Sequence, residues 1–173
     1  MARSKKKKKK SKNKSGETLP LKLRPVEQLL LETAEEVVGK TVLAGSTGIG
    51  HGPARVAERL PDSTVHLNVL DVFLADSANA RWRELENFNC TCLPDWPEIE
   101  ADAVMLALPA RGESELARDL LQTARQRLTA TGRLYVVTDN PKDHWLHEQL
   151  KSSFGKVTNR SEKTGKIYIA SKP

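Results

Sequence analysis

The chain has 173 residues, 38% of them apolar, which is enough for one domain with a sizeable core. Its net charge of +6 is uneven: residues 1–24 hold eleven Lys or Arg against one acid, Glu17, so residues 25–173 are net acidic at −4. The body therefore presents no basic nucleic-acid face of its own, and neither a signal-peptide core nor an apolar run near the ~18 residues of a membrane span is visible, so a cytoplasmic protein is expected.

Residues 1–24 read as a polybasic arm that like-charge repulsion should keep disordered, ahead of a domain over 25–173. Lys5, Lys6, Lys7, Lys8, Lys9 and Lys10 are unbroken. Such a run binds a phosphate backbone through counterion release, which points to RNA, ribosomal RNA or a ribosomal subunit as partner. A solubilising tail is the plainer reading. Pro25 then opens a helix whose inward positions are Val26, Leu29, Leu30, Thr33, Ala34, Val37 and Val38, closed by Gly39.

A strand over 40–44 stops at a glycine-rich turn, Gly45-Ser46-Thr47-Gly48-Ile49-Gly50-His51-Gly52, and Pro53–Leu60 reads as a short helix. Strand, glycine turn and helix bring backbone N–H groups to a ligand at the carboxyl edge of an open α/β sheet. Gly45, Ser46, Gly48 and Gly50 are therefore expected in a nucleotide-type cofactor site. Thr64–Asp71 is the second strand, ending in an acid 21 residues after Gly50. A carboxylate at about that distance accepts ribose hydroxyls in dinucleotide folds; an acid at a helix N-terminus is the alternative for Asp71.

A helix over 75–86 carries Leu74, Ala78, Trp82 and Leu85 on one side. Phe88–Leu93 is the third strand, and Cys90 and Cys92 within it read as reduced structural thiols rather than metal ligands. In the following Pro94-Asp95-Trp96-Pro97, Asp95 and Trp96 suit the amino group and face of an adenine, or Trp96 merely packs. Asp102–Leu108 is a nearly all-apolar fourth strand, expected to be buried on both faces. A helix over 112–128, a fifth strand over 133–138 and a helix over 141–154 follow. Two strands, 155–160 and 166–170, are joined too closely to be anything but antiparallel. Five βα units closed by a hairpin make an open, mostly parallel, doubly wound sheet.

With that hairpin the chain resembles a class I S-adenosylmethionine-dependent methyltransferase, a Rossmann-like fold with a mostly parallel seven-stranded sheet and a C-terminal antiparallel β-hairpin. Dinucleotide dehydrogenases continue in βα units instead, and their third glycine would fall on Pro53, which leaves a nicotinamide oxidoreductase as a distant reading. Residues from about 25 to 173 further resemble the catalytic domain of small-subunit ribosomal RNA guanine-N2 methyltransferases. The resemblance rests on Ala130–Val137, Phe154-Gly155-Lys156-Val157 and Gly165–Ala170. It implies S-adenosylmethionine as cofactor, with Ser46, Gly48 and Gly50 on its loop, Asp71 on its ribose and Asp95 near its adenine.

Two departures stand out. The family's Asp-x-Gly-x-Gly-x-Gly reads here with Ala44 and Ser46 in place of its acid and first glycine. Its Asn-Pro-Pro-Phe, which holds the target amine and base, reads Ala107-Leu108-Pro109-Ala110, keeping only Pro109. Asp139 and Asn140 beyond the fifth strand could substitute as catalytic groups or simply cap a loop, and Arg111 could face a phosphate or solvent. The enzyme expected is an RNA methyltransferase modifying a base nitrogen, with ribosomal RNA as its substrate. A catalytically degenerate scaffold that binds RNA or ribosomes is the alternative.

Overall fold

The computed structural model describes residues 23–109 and 114–173. Seven strands form one sheet in the order β3-β2-β1-β4-β5-β7-β6. β1 (Thr41–Gly45), β2 (Thr64–Asn68), β3 (Phe88–Thr91), β4 (Ala101–Ala107) and β5 (Leu128–Thr138) run parallel, while β7 (Gly165–Ser171) pairs antiparallel with both β5 and β6 (Lys156–Glu162). The doubly wound sheet with a closing hairpin is thus as expected. Strand order reverses between β1 and β4, and at such a reversal the flanking connections diverge to opposite faces and leave a crevice.

Alternation along the central strands divides the core in two. Val42, Ala44, Ala103, Met105, Tyr135 and Val137 face one side and pack with α1 (Pro25–Thr33) and α2 (His51–Arg59). Leu43, Val104, Leu106, Leu134 and Val136 face the other and meet α4 (Ser114–Arg127) and α5 (Trp145–Ser153). β4 is buried throughout except for a half-buried Asp102, as an interior parallel strand requires. That Asp102 carboxylate accepts the Lys40 and Thr41 N–H groups at 2.8 and 3.1 Å, fixing the start of β1.

Several boundaries differ from expectation. The first helix ends at Thr33 rather than Gly39, and Val38 is exposed. Beyond it the chain passes through turns, and the Arg59 guanidinium donates to the carbonyls of Ala34 and Val37 there. β2 stops at Asn68, three residues before Asp71, and α3 (Val72–Arg81) starts earlier than the apolar spacing indicated. β5 begins at Leu128, five residues early, with an irregularity in its pairing opposite Ala101–Ala103. The hairpin turn is only Lys163-Thr164, because both strands extend beyond their apolar segments. Lys5–Lys10, Ala110 and Arg111 lie outside the described residues. No helix among those described is long and apolar enough to cross a membrane.

Candidate functional site

At the carboxyl ends of the parallel strands lies a cleft of about 320 Å³, within the range of small-ligand sites. Gly45, Ser46 and Thr47 form its wall after β1, and Asn68 and Leu70 continue it after β2. Trp96 comes from the β3–β4 connection, and Ala107, Leu108 and Pro109 from the end of β4. Thr138, Asp143, Trp145 and Leu146 close the far side with one face of α4. The walls are mainly apolar.

The glycine turn is braced from behind by a residue the sequence reading overlooked. Glu27, on the first turn of α1, is only 3% exposed. Its Oε1 accepts the Ser46 hydroxyl at 2.5 Å and the Thr47 hydroxyl at 3.3 Å, while Ser46 Oγ accepts the Gly48 N–H at 3.2 Å. The short Ser46 contact is typical of a hydroxyl donating to a carboxylate. Glu27 Oε2 is buried and makes no hydrogen bond among the described residues. The signal was available: Glu27, Leu30 and Ala34 share one helical face, and an acid on an otherwise apolar face needs a partner.

The turn's glycines serve packing as much as ligand access. A Cβ at Gly48 would meet the Glu27 side chain at 3.0 Å. Gly50 has φ +78°, and a Cβ there would fall 2.4 Å from Leu67 Cδ2. Neither glycine belongs to the cleft wall, which takes Gly45, Ser46 and Thr47 from this turn. His51, the first residue of α2, packs edge-on against Trp82, and burial lowers its pKa with a smaller push from Arg81, against the pull of Glu27.

Asp71 is the N-cap of α3: its exposed carboxylate accepts the Phe73 N–H at 2.8 Å, outside the cleft wall. The cleft's contact with this segment comes from Leu70, 64% exposed. Asp95 is exposed, whereas neighbouring Trp96 is 5% exposed and forms part of the cleft floor. Trp96 approaches Gly45 so closely that a Cβ there would lie 2.9 Å from the indole. Asn68 holds this loop in place. Its amide donates to Leu93 O and accepts from Leu93 N, both at 3.0 Å, and also accepts the Thr91 hydroxyl at 3.2 Å.

Of the groups suggested for catalysis, Pro109 lines the cleft. Asn140 instead shapes its own turn, accepting the Lys142 N–H at 3.0 Å and donating its N–H to Thr138 Oγ1, and Asp139 beside it is half-buried; neither is part of the wall. The cysteines lie apart from the cleft. Cys90 is buried, and burial, with a smaller effect of Cys92, pushes its thiol up to about 11, which disfavours the thiolate; Cys92 follows β3 and is exposed.

No known family and no curated protein matches the sequence. Solved structures do match the fold. An O-methyltransferase family protein from Burkholderia thailandensis superposes with a TM-score of 0.70 at 17% identity, over 85% of this chain and 56% of its own. TrmN from Thermus thermophilus gives 0.62 at 21% identity, over 87% and 49%. The O-methyltransferase of a Brevibacillus brevis trans-AT polyketide synthase, solved with S-adenosyl-L-homocysteine, gives 0.59 at 15%, over 77% and 54%. The chain thus has the Rossmann-like fold of class I S-adenosylmethionine-dependent methyltransferases and spans about half the length of these three structures.

Proposed function

We propose that a chain with this methyltransferase fold binds S-adenosylmethionine in the cleft and methylates a base nitrogen of RNA, with ribosomal RNA as the favoured substrate. The observation that carries the reading is the cleft itself, sited at the strand-order reversal and walled by the glycine turn. Its donor set suits the cofactor. Gly45, Ser46 and Thr47 meet one part and Asn68, Leu70 and Trp96 another. Glu27, buried outside the cleft wall, holds the Ser46 and Thr47 hydroxyls and so sets the shape of that wall.

When bound, the cofactor supplies an electrophilic methyl group on a sulfonium. The chain's own contribution is to hold an acceptor in line and keep water away, which the apolar Leu108, Pro109 and Leu116 favour. The lysine arm supplies affinity for a polyanion that the acidic body would repel. A second reading, a scaffold that binds RNA or ribosomes without chemistry, draws on Ala107-Leu108-Pro109, which bring neither amide nor aromatic ring to the cleft.

Calorimetry with S-adenosylmethionine tests the first reading, and absence of binding would end it. Binding without methyl transfer to ribosomal RNA would select the second. Deleting residues 1–16 should weaken RNA affinity and flatten its salt dependence; an unchanged slope would make the arm a bystander.

A further inference from the structure

Among the described residues, Leu108 and Pro109 after β4 bring no polar side chain to the cleft, whereas the opposite wall provides one. Resting on the methyltransferase reading above, we infer that Asp143 and Trp145, between β5 and the first turn of α5, form the acceptor seat and take a planar base bearing an exocyclic amine. Trp145 is half-buried and lines the cleft, while the Arg118 guanidinium lies 5.5 Å from its ring centroid and fixes the indole against α4. Leu108, Leu116 and Leu120 line the same cleft. An apolar slot with an indole wall suits a flat ring, and stacking on an aromatic side chain binds any base through its π-face.

Asp143 adds direction. Its Oδ2 accepts the Leu146 N–H at 3.1 Å and the Tyr168 hydroxyl at 3.4 Å, and its backbone carbonyl accepts Lys166 Nζ at 2.9 Å, so the residue is fixed from three sides. No hydrogen bond falls on Oδ1 among the described residues, and Asp143 belongs to the cleft wall. An amine N–H satisfies that oxygen; a carbonyl presented there would meet a second acceptor and be repelled. The seat therefore distinguishes bases that carry an amine from those that carry oxygen or hydrogen in its place.

The test titrates the full chain with cytidine against uridine, and guanosine against inosine, by calorimetry and tryptophan fluorescence. Wild type should bind the amine-bearing member of each pair more tightly. Trp145→Ala should weaken binding of every base about tenfold, and Trp145→Phe should restore most of it. Asp143→Asn should abolish the preference within each pair, and the two Trp145 variants keep the test decisive if that substitution unfolds the chain. Base affinity unchanged in Trp145→Ala, no preference in wild type, or no base binding by wild type at millimolar concentration would overturn the seat. An equal loss of S-adenosylmethionine affinity in Trp145→Ala would also overturn it, by assigning the indole to the cofactor. Wild type that takes up no S-adenosylmethionine fails the methyltransferase reading; wild type that takes it up while Trp145→Ala leaves base binding intact fails only the seat.

Discussion

Glu27→Gln preserves the shape of a side chain that is 3% exposed and removes its carboxylate. The Ser46 hydroxyl donates to that carboxylate at 2.5 Å, a class of hydrogen bond that contributes about 1.5–3 kcal/mol. The glutamine carbonyl still accepts from Ser46, and the cost of keeping a charge from water disappears. These terms oppose, so unfolding free energy should change by no more than about 1 kcal/mol. Glu27→Ala strands both hydroxyl donors and leaves a void, and should cost about 2–4 kcal/mol. Cofactor affinity should follow the same order. Ser46 and Thr47 belong to the cleft wall, so Glu27→Ala, which frees their hydroxyls, should bind S-adenosylmethionine about tenfold more weakly, or about 1.4 kcal/mol, whereas Glu27→Gln, which still accepts from Ser46, should stay within about threefold of wild type. Urea unfolding followed by tryptophan fluorescence, paired with calorimetry, measures the two quantities separately. Wild-type cofactor affinity in Glu27→Ala would refute the link from brace to cleft wall, and wild-type stability in Glu27→Ala would refute the brace itself.

Gly50→Ala should destabilise the chain by about 1–3 kcal/mol, because φ is +78° and the new methyl would sit 2.4 Å from Leu67 Cδ2; an unchanged thermal midpoint would contradict this. Asn68→Ala removes three hydrogen bonds from the loop that carries Trp96, so amide exchange over residues 91–96 should quicken and cofactor affinity fall. The Cys90 thiol, raised from 9.0 to about 11, keeps its proton in the folded state over a range where the unfolded chain releases it. Stability should therefore be undiminished below pH 9 and decline as pH rises towards 11; a Cys90→Ala variant with the same decline in urea midpoint would rule this out. At pH 8, alkylation should modify exposed Cys92 and spare Cys90, which peptide mapping reads directly.

Much of the architecture is local information. The apolar runs at Val42–Ala44 and Ala103–Leu108 specify buried strands, and the closely spaced segments at 156–162 and 165–171 can meet only antiparallel. The positive φ at Gly50 is likewise foreshadowed by its residue type, since side chains avoid that conformation. Boundaries were less legible where polar residues continue an element, as in the early start of β5, because sheet pairing rather than apolar spacing holds them.

The cleft itself was decided by long-range packing. Spacing from the glycine turn singled out Asp71, but β2 ends at Asn68, so Asp71 falls on the cap of α3, and Asn68 is left to clamp the Trp96 loop. Glu27 precedes Ser46 by 19 residues, and only the docking of α1 beside α2 brings them together. Asp143 and Trp145 both fall in the helix expected over 141–154, but α5 starts only at Trp145, and Tyr168, 25 residues after Asp143, completes the setting that brings the two to the cleft. Periodicity encodes which face of an element is apolar, whereas the meeting of two distant side chains depends on how those faces dock, and no local pattern specifies that.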